Sequence, residues 1–286
     1  MAELGGKLDV KVAIITGGSG GIERAAAKLF AAAGGRIILV DLDDDALQGV
    51  VAKIGAEIGS DWAAAVVADV TDAAQTQAYV AAAVERFGGV DIALLNAGIE
   101  GTVTPISEYT EDMFDKVLAI NVRGVFLGLK YIMPAMSARG GGSIVITSST
   151  AGIRATGGMS AYVASKHAVI GLMRTAALEG AEQNIRVNTV NPAPIDTRMM
   201  TSIEEQRGLP AGDRANRPMA RNIPLQRYGE PEEVARLMLF LGGDDSSFCT
   251  GGVYMVDGGV SAVAVSGVAV EGVPGSRVRV ELERLT

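Results

Sequence analysis

The sequence predicts an α/β fold: a doubly wound, seven-stranded parallel sheet covered on both faces by helices and contained in a single domain. Three observations point to it. Short runs rich in β-branched residues alternate with longer alanine-rich segments of helical period, which marks repeated βαβ units. The runs are continuously apolar rather than alternating, as strands buried on both faces require. Composition agrees, with 48% hydrophobic residues but only 5% aromatic ones and 37 glycines, so small aliphatic side chains must fill the core and helices must pack close to the sheet.

Taken in order, the first run is KVAIIT, Lys11–Thr16, and it leads into the glycine-rich turn TGGSGGIE and a helix starting near Gly21. The second, RIILVD, ends in Asp41 and is followed by the acidic helix start Asp43, Asp44 and Asp45. AAVVAD (Ala64–Asp69), IALLNA (Ile92–Ala97) and SIVITS (Ser143–Ser148) follow, each separated by a segment long enough to cross over and keep the strands parallel. RVNTVN (Arg186–Asn191) precedes a long polar insertion, Asp196–Gly229, that carries Pro210, Pro218 and Pro224, and loops of that length carry function or disorder. VYMVDG, Val253–Gly258, is the seventh run.

At 286 residues the chain is long for one domain and short for two. The pattern predicts one domain over residues 1–260 and an extension over 261–286, whose Val-rich alternating character suits an edge strand, an oligomer contact or a frayed appendage. The net charge of −8 disfavours nucleic acid and anionic membrane surfaces as partners. A lone Cys249 forms no internal disulfide, and MAELGGKLDV lacks an apolar signal core, so the expected location is cytoplasmic. Apolar stretches such as Ala262–Val270 fall well short of the ~20 residues that span a bilayer, so no membrane segment is expected.

A strand, a glycine turn and a helix N-terminus gather free backbone N–H groups and the positive end of a helix dipole at one point, which suits a pyrophosphate. The same glycines also serve tight turns that hold no ligand. Asp41, about 20 residues on, can accept from both adenosine ribose hydroxyls and repel a 2′-phosphate, favouring NAD over NADP, or it can belong to the helix-capping cluster that follows. Tyr162 and Lys166 stand at i and i+4 in the helical segment SAYVASKHAV, on one face and one turn apart. An ammonium that close favours phenolate and draws the tyrosine pKa toward working pH, although such pairs also occur on solvated helix faces. Ser149, thirteen residues before Tyr162, lies at the carboxyl edge of a strand, where open α/β sheets bind ligands.

From about Leu8 to Gly259 the chain resembles the short-chain dehydrogenase/reductase family, which has a Rossmann-type fold. Thr16, Gly17 and Gly21 fall on the family's TGxxxGxG turn, NAG lies at Asn96–Gly98, and NVRG lies at Asn121–Gly124. The resemblance implies a catalytic tetrad of Asn121, Ser149, Tyr162 and Lys166. Tyr162 would be the acid/base and Ser149 would hold the substrate oxygen. Lys166 would bind the nicotinamide ribose, and Asn121 would hold a relay water. The dinucleotide NAD would lie along Gly17, Ser19, Gly20, Gly21 and Ile22 for the diphosphate, and along Asp41 and Leu42 for the adenosine ribose. Asp69 and Val70 would meet the adenine, and Asn96, Ala97, Gly98, Tyr162 and Lys166 would approach the nicotinamide side. Pro192, Ile195 and Thr197, from NPAPIDT, would contact the carboxamide and phosphates, the Ile195 contact being made by backbone.

Two positions depart from the pattern. Glu23 replaces the third glycine, so it either pushes the first helix outward or turns its carboxylate toward the diphosphate. Ala193 replaces the glycine of NPG, which is unstrained at negative φ and strained at positive φ.

By the resemblance, Asp196–Gly229 would form a lid, with Met199, Met200, Ile203 and Leu209 as adaptable apolar contacts or as ordinary core filling. Together with Ile99, Ile153 and Met159 they predict an apolar pocket for a cyclic or aryl-alkyl alcohol or ketone. Glu100 and Arg154 near its mouth read as solvated surface groups, and His167 reads as structural. No cluster has metal-ligand spacing. The leading expectation is an NAD(H)-dependent alcohol dehydrogenase or ketone reductase assembled as a homotetramer through the helices near Asp112–Arg139 and Ser160–Gln183 and the last strand. The rival is a non-catalytic binding protein impaired by Glu23, and an epimerase or dehydratase on the same fold is a third reading.

Overall fold

The computed structural model describes residues 6–209 and 217–262. Among them seven strands form one sheet: β1 (Val12–Thr16), β2 (Arg36–Asp41), β3 (Ala63–Val67), β4 (Ile92–Leu95), β5 (Gly142–Thr147), β6 (Ile185–Pro192) and β7 (Val253–Val256). Their order is β3-β2-β1-β4-β5-β6-β7 and every neighbouring pair is parallel. Each strand overlaps its expected run. β4 stops two residues early because the N–H groups of Asn96 and Ala97 leave the ladder and donate to the Thr16 hydroxyl at 3.0 and 3.3 Å. β7 stops at Val256 because the next carboxylate, Asp257, gathers the N–H groups of Gly259 and Ser261.

Helices α1 (Gly21–Ala32), α2 (Asp44–Glu57), α3 (Ala73–Phe87), α4 (Glu111–Leu118), α5 (Gly124–Ala138), α6 (Ser160–Gly180), α7 (Arg198–Gln206) and α8 (Pro231–Gly242) cover the sheet and its carboxyl edge. One core layer forms where α1, α2 and α8 meet one face, around Phe30, Leu39 and Met238. The second forms where α3, α5 and α6 meet the other, around Tyr79, Ile132 and Met173. Asp43 and Asp72 start α2 and α3 by accepting from the N–H groups of Ala46 and Gln75, so the acidic cluster after Asp41 does cap a helix.

A π-turn, Ala119–Arg123, joins α4 to α5. The helical run Glu111–Ala138 is therefore 28 residues long and apolar enough to cross a bilayer, longer than any span expected from the sequence. Its apolarity is that of a core helix, because Val125, Leu129, Ile132 and Met136 are buried in the second layer. The chain after Val260 closes a short 3₁₀ turn at Ala262, and the three readings of the C-terminal extension fall on residues 263–286, outside the described ones.

β6 is fastened at its amino end by Arg186, whose guanidinium donates to the carbonyls of Leu241 (2.9 Å) and Gly243 (2.8 Å) and to the Ser246 hydroxyl (2.7 Å). These acceptors lie at or just beyond the end of α8, so the cation also complements that helix dipole. Arg186→Met is expected to lower the unfolding free energy by about 2 kcal/mol. Urea denaturation followed by circular dichroism measures it.

Candidate active site

The strand order reverses between β1 and β4, and the loops that follow them part to leave a groove at the carboxyl edge. On the β1 side, Gly17 has φ +75°, and a Cβ there would lie 3.0 Å from the Ala97 backbone, so only glycine lets the two loops approach this closely. Gly20 precedes the first turn of α1, and Gly21 opens it against Thr197, whose Cγ2 would stand 3.2 Å from a Cβ at that position. Ile22 packs against the first core layer. At the end of β2 the Asp41 carboxylate accepts from the N–H groups of Ser19 (3.0 Å) and Leu42 (2.7 Å), tying the glycine turn to the second strand. Asp69 accepts from the Thr71 N–H at 2.8 Å, and Val70 lies beneath Gly124.

Asn96 is 6% exposed, yet both polar atoms of its side chain lack a hydrogen-bond partner of full geometry among the described residues. Buried amides are rarely left so, and this one stands at the floor of the groove, where a ligand would satisfy it. The glycine cradle, the Asp41 carboxylate and the orphaned amide together fit a dinucleotide.

Glu23 alone disagrees with an anionic ligand. The helix has not moved away to accommodate it: Ala26, Ala27 and Phe30 remain fully buried against the sheet. The carboxylate has instead folded back over the cradle, where a Cβ on Gly20 would collide with its oxygen and lie 2.9 Å from its Cδ. Of the two expected outcomes, the second is the one adopted. Burial pushes the Glu23 pKa up to about 7, with repulsion from Asp41 adding to it, while its own backbone N–H, Lys166 and the neighbouring Asn96 amide act the other way.

Across the groove, α6 presents Tyr162 and Lys166. The Lys166 ammonium, 4% exposed, donates to the Thr147 carbonyl at 2.8 Å and stands 5.5 Å over the Tyr162 ring. Its pKa falls to about 8 through desolvation, opposed by the nearby Glu23. Ser149 begins a short 3₁₀ turn; its hydroxyl accepts from the Ala151 N–H at 3.1 Å, donates weakly to the Pro192 carbonyl and lies beside the Tyr162 hydroxyl. The Tyr162 pKa does not follow the spacing from Lys166. Burial raises it, with Glu100 adding to the rise, and Ser149 rather than Lys166 provides the opposing pull. Glu100 therefore acts on the site and is more than a solvated surface group.

Asn121 lies in the π-turn, where the wider backbone turn re-aims its side chain. Its Oδ1 accepts from the Ile99 N–H (2.9 Å), and its Nδ2 donates to the Ile99 carbonyl (2.9 Å) and to the Ser165 hydroxyl (3.0 Å). Gly98 sits between them: a Cβ there would be 3.2 Å from Asn121 Oδ1 and 3.6 Å from Lys166 Nζ. The tetrad residues thus converge.

Sequence reasoning missed three supports. Ser165 donates to the Tyr162 carbonyl, Ser148 donates to the Lys166 carbonyl, and Asn191 donates to the Ser149 carbonyl. Ser165, at i+3 from Tyr162, was visible on the same helix; the other two come from different strands and leave no local signal.

Ala193 is absent from the non-glycine residues at positive φ, so its substitution is unstrained. Ile195 is 4% exposed and pairs with Gly229 in an isolated bridge, and its carbonyl accepts from the Thr197 hydroxyl. Beyond Thr197, α7 lays Met200 and Ile203 into a small apolar cluster with Met159, Ile223 and Tyr228, with Met199 and Tyr162 at its edge. Beneath it Arg217 pairs with Asp196 and Glu204, both at 3.0 Å, and Tyr228 donates to Glu204. Arg154 donates to the Val260 carbonyl and His167 bonds the Val163 carbonyl, so neither faces the groove as a free group.

A family model described as enoyl-(acyl carrier protein) reductase matches residues 17–261. The levodione reductase of Leifsonia aquatica is 40% identical over 252 residues, covering 88% of this chain and 94% of that protein. A crystal structure of levodione reductase superposes with a TM-score of 0.86 at 40% identity, covering 90% of this chain and 100% of that one. The cyclohexanol dehydrogenase of Acinetobacter sp. (strain SE19) is also 40% identical over 252 residues, 88% of this chain and 95% of the relative. The trans-4-hydroxycyclohexanecarboxylate dehydrogenase of Sinomonas cyclohexanicum is 38% identical over 266 residues, 92% and 97% of the two chains. With that coverage and that likeness of fold, the chain belongs to the short-chain dehydrogenase/reductase family of oxidoreductases acting on alcohol and ketone groups.

Proposed function

We propose that this protein is an NAD(H)-dependent oxidoreductase that interconverts a cyclic or aryl-alkyl secondary alcohol and its ketone. The observation that carries the reading is the convergence of Tyr162, Ser149 and Lys166 beside a groove whose floor holds the unsatisfied Asn96 amide. Three relatives named for cyclic substrates, and the apolar cluster that reaches Tyr162 from Met159 and Met200, support the substrate class. Glu23 is the one feature of the site that the non-catalytic reading can draw on, and the grouping of Asn121, Ser149, Tyr162 and Lys166 weighs against that reading.

A nicotinamide dinucleotide, when bound, would supply the hydride for reduction and take it up in oxidation. Gly17, Ser19, Gly20, Gly21 and Ile22 would hold its diphosphate with backbone, and Asp41 and Leu42 its adenosine ribose. Asp69 and Val70 would border the adenine, while Asn96, Ala97, Gly98, Pro192, Ile195 and Thr197 would line the nicotinamide end. Lys166, anchored on the Thr147 carbonyl, would hold ribose hydroxyls on the face it shares with Tyr162. Tyr162 donates its proton to the substrate oxygen in reduction and accepts it in oxidation, and Ser149 donates a second hydrogen bond to the same oxygen as negative charge develops there. Burial keeps the phenol protonated at neutral pH, which suits the reductive direction. Asn121 keeps Ile99 and Ser165 in place and retains one Oδ1 lone pair for a relay water.

Residues 196–209 and 217–229 would cover the substrate, closed at their base by the Ile195–Gly229 bridge and stiffened by the Arg217 ion pairs, while residues 210–216 of the expected lid lie outside the described ones. The assembly is a homotetramer. The groove between α5 and α6, lined by Phe126, Met133 and Leu172, supplies an apolar face for such contacts. The cytoplasm is the proposed location.

A panel of cyclic and aryl ketones and alcohols assayed with NAD(H) and NADP(H) should show turnover on cyclic substrates with NAD(H) preferred. No turnover on any member overturns the reading, and a preference for NADPH overturns the role of Asp41. Asp41→Ala should narrow the ratio of kcat/KM values for the two cofactors. Tyr162→Phe should lose about 10²- to 10⁴-fold in kcat while NADH fluorescence titration still shows saturable binding. Light scattering of the purified protein should give the mass of four protomers.

A further inference from the structure

The Glu23 carboxylate lies at the edge of the cradle that a bound anion would enter. It lies over Gly20 at the N-terminus of α1, helped by its own backbone N–H, in the concavity whose amides suit a phosphate. The charged groups facing it are Asp41 from the end of β2 and Lys166 from α6, and the uncharged Asn96 amide faces it from the end of β4. Asn96 is more than nine-tenths buried and pulls on Glu23 as a hydrogen-bonding amide, yet neither of its polar atoms reaches full hydrogen-bond geometry with a group among the described residues, which leaves it capacity for a ligand.

A dinucleotide diphosphate entering this groove meets the carboxylate at contact range in a poorly solvated place, where two anions repel strongly. Two responses relieve the repulsion: the side chain swings out and stays ionised, or it stays and gains a proton. The second keeps the packing that the structure shows and turns an acceptor into an O–H donor toward a phosphate oxygen.

Resting on the reading of the groove as a dinucleotide site, we infer that Glu23 is a cofactor-binding residue that takes up one proton when the dinucleotide binds and holds the diphosphate as a neutral acid. The proton comes from solvent and returns to it on release, and no other bond is made or broken. A Glu23 pKa of about 7 in the free protein puts this exchange within the working range of pH. The sign follows from linkage. The bound state holds the proton more tightly than the free state, so binding is unaffected below the free pKa and weakens as pH rises through it.

The test is calorimetric titration of the full chain with NADH, in PIPES and in imidazole, two buffers of different ionisation enthalpy, at pH 6 and pH 7.5, where Lys166 remains mostly protonated. Proton uptake per site should rise from about 0.1 to about 0.75 between the two values, and affinity should fall about fourfold. Glu23→Gln should cut uptake at pH 7.5 below about 0.3 and hold affinity within about twofold over the same range. Wild-type binding without uptake, or equal uptake in the variant, overturns the role of Glu23 and leaves the dinucleotide site standing. Absence of saturable NADH binding by both proteins at pH 6 overturns the dinucleotide reading, and this inference with it. The wild-type measurement stands alone if the variant fails to fold.

Discussion

The structure turns on the parting of β1 and β4. These strands pair in parallel as far as Thr16 and Leu95, and the strand order reverses between them, so the chain leaves the sheet in diverging directions on either side. The Thr16 hydroxyl sits at that fork. It gathers two N–H groups from the β4 loop and reaches the Leu94 carbonyl, which ends one strand and fixes the other with a single small side chain. Gly17 can approach Ala97 only because it lacks a Cβ, and Gly98 makes room in the same way beside Asn121 and Lys166. Groove, cradle and catalytic face all take their positions from this fork.

Charge is arranged sparingly around it. Glu23, Asp41 and Lys166 form an electrostatic triangle in which two groups are strongly desolvated and each moderates the other. Lys166 gains a carbonyl partner from β5, while Glu23 has backbone dipoles in place of a basic side chain. An acidic protein binding a polyanion needs such a solution. Oriented backbone amides supply positive potential locally without altering net charge.

Much of this was legible in the sequence, because the signals were local. The seven strands were marked by short β-branched runs bounded by glycine or polar residues, and their ends differ from the expected ones by no more than two residues, at β4 and β7 because the Thr16 hydroxyl and the Asp257 carboxylate take over N–H groups. Asn121, Ser149, Tyr162, Lys166 and the glycine turn were readable as motifs in fixed order, and the structure gathers them at one groove. The orientation of Glu23 was not, since both outcomes were sterically reasonable, and the choice depended on how tightly Ala26, Ala27 and Phe30 hold α1 to the sheet. The direction of the Tyr162 shift was misjudged for a related reason. Spacing on a helix reports who is near, while desolvation depends on what other elements cover. The Arg217 cluster joins residues from three parts of a polar insertion and left no periodic trace.

The π-turn at Ala119–Arg123 also sets an angular phase. The same helical run aims Asn121 inward at Ile99 and turns Phe126 and Met133 outward to the groove shared with α6. One residue removed from the bulge would restore regular winding and rotate everything beyond it by about 100° relative to what lies before. Insertions and deletions in this stretch are therefore constrained from both ends at once. The inner face and the outer face of one helix can change their side chains separately, but they cannot change their register separately.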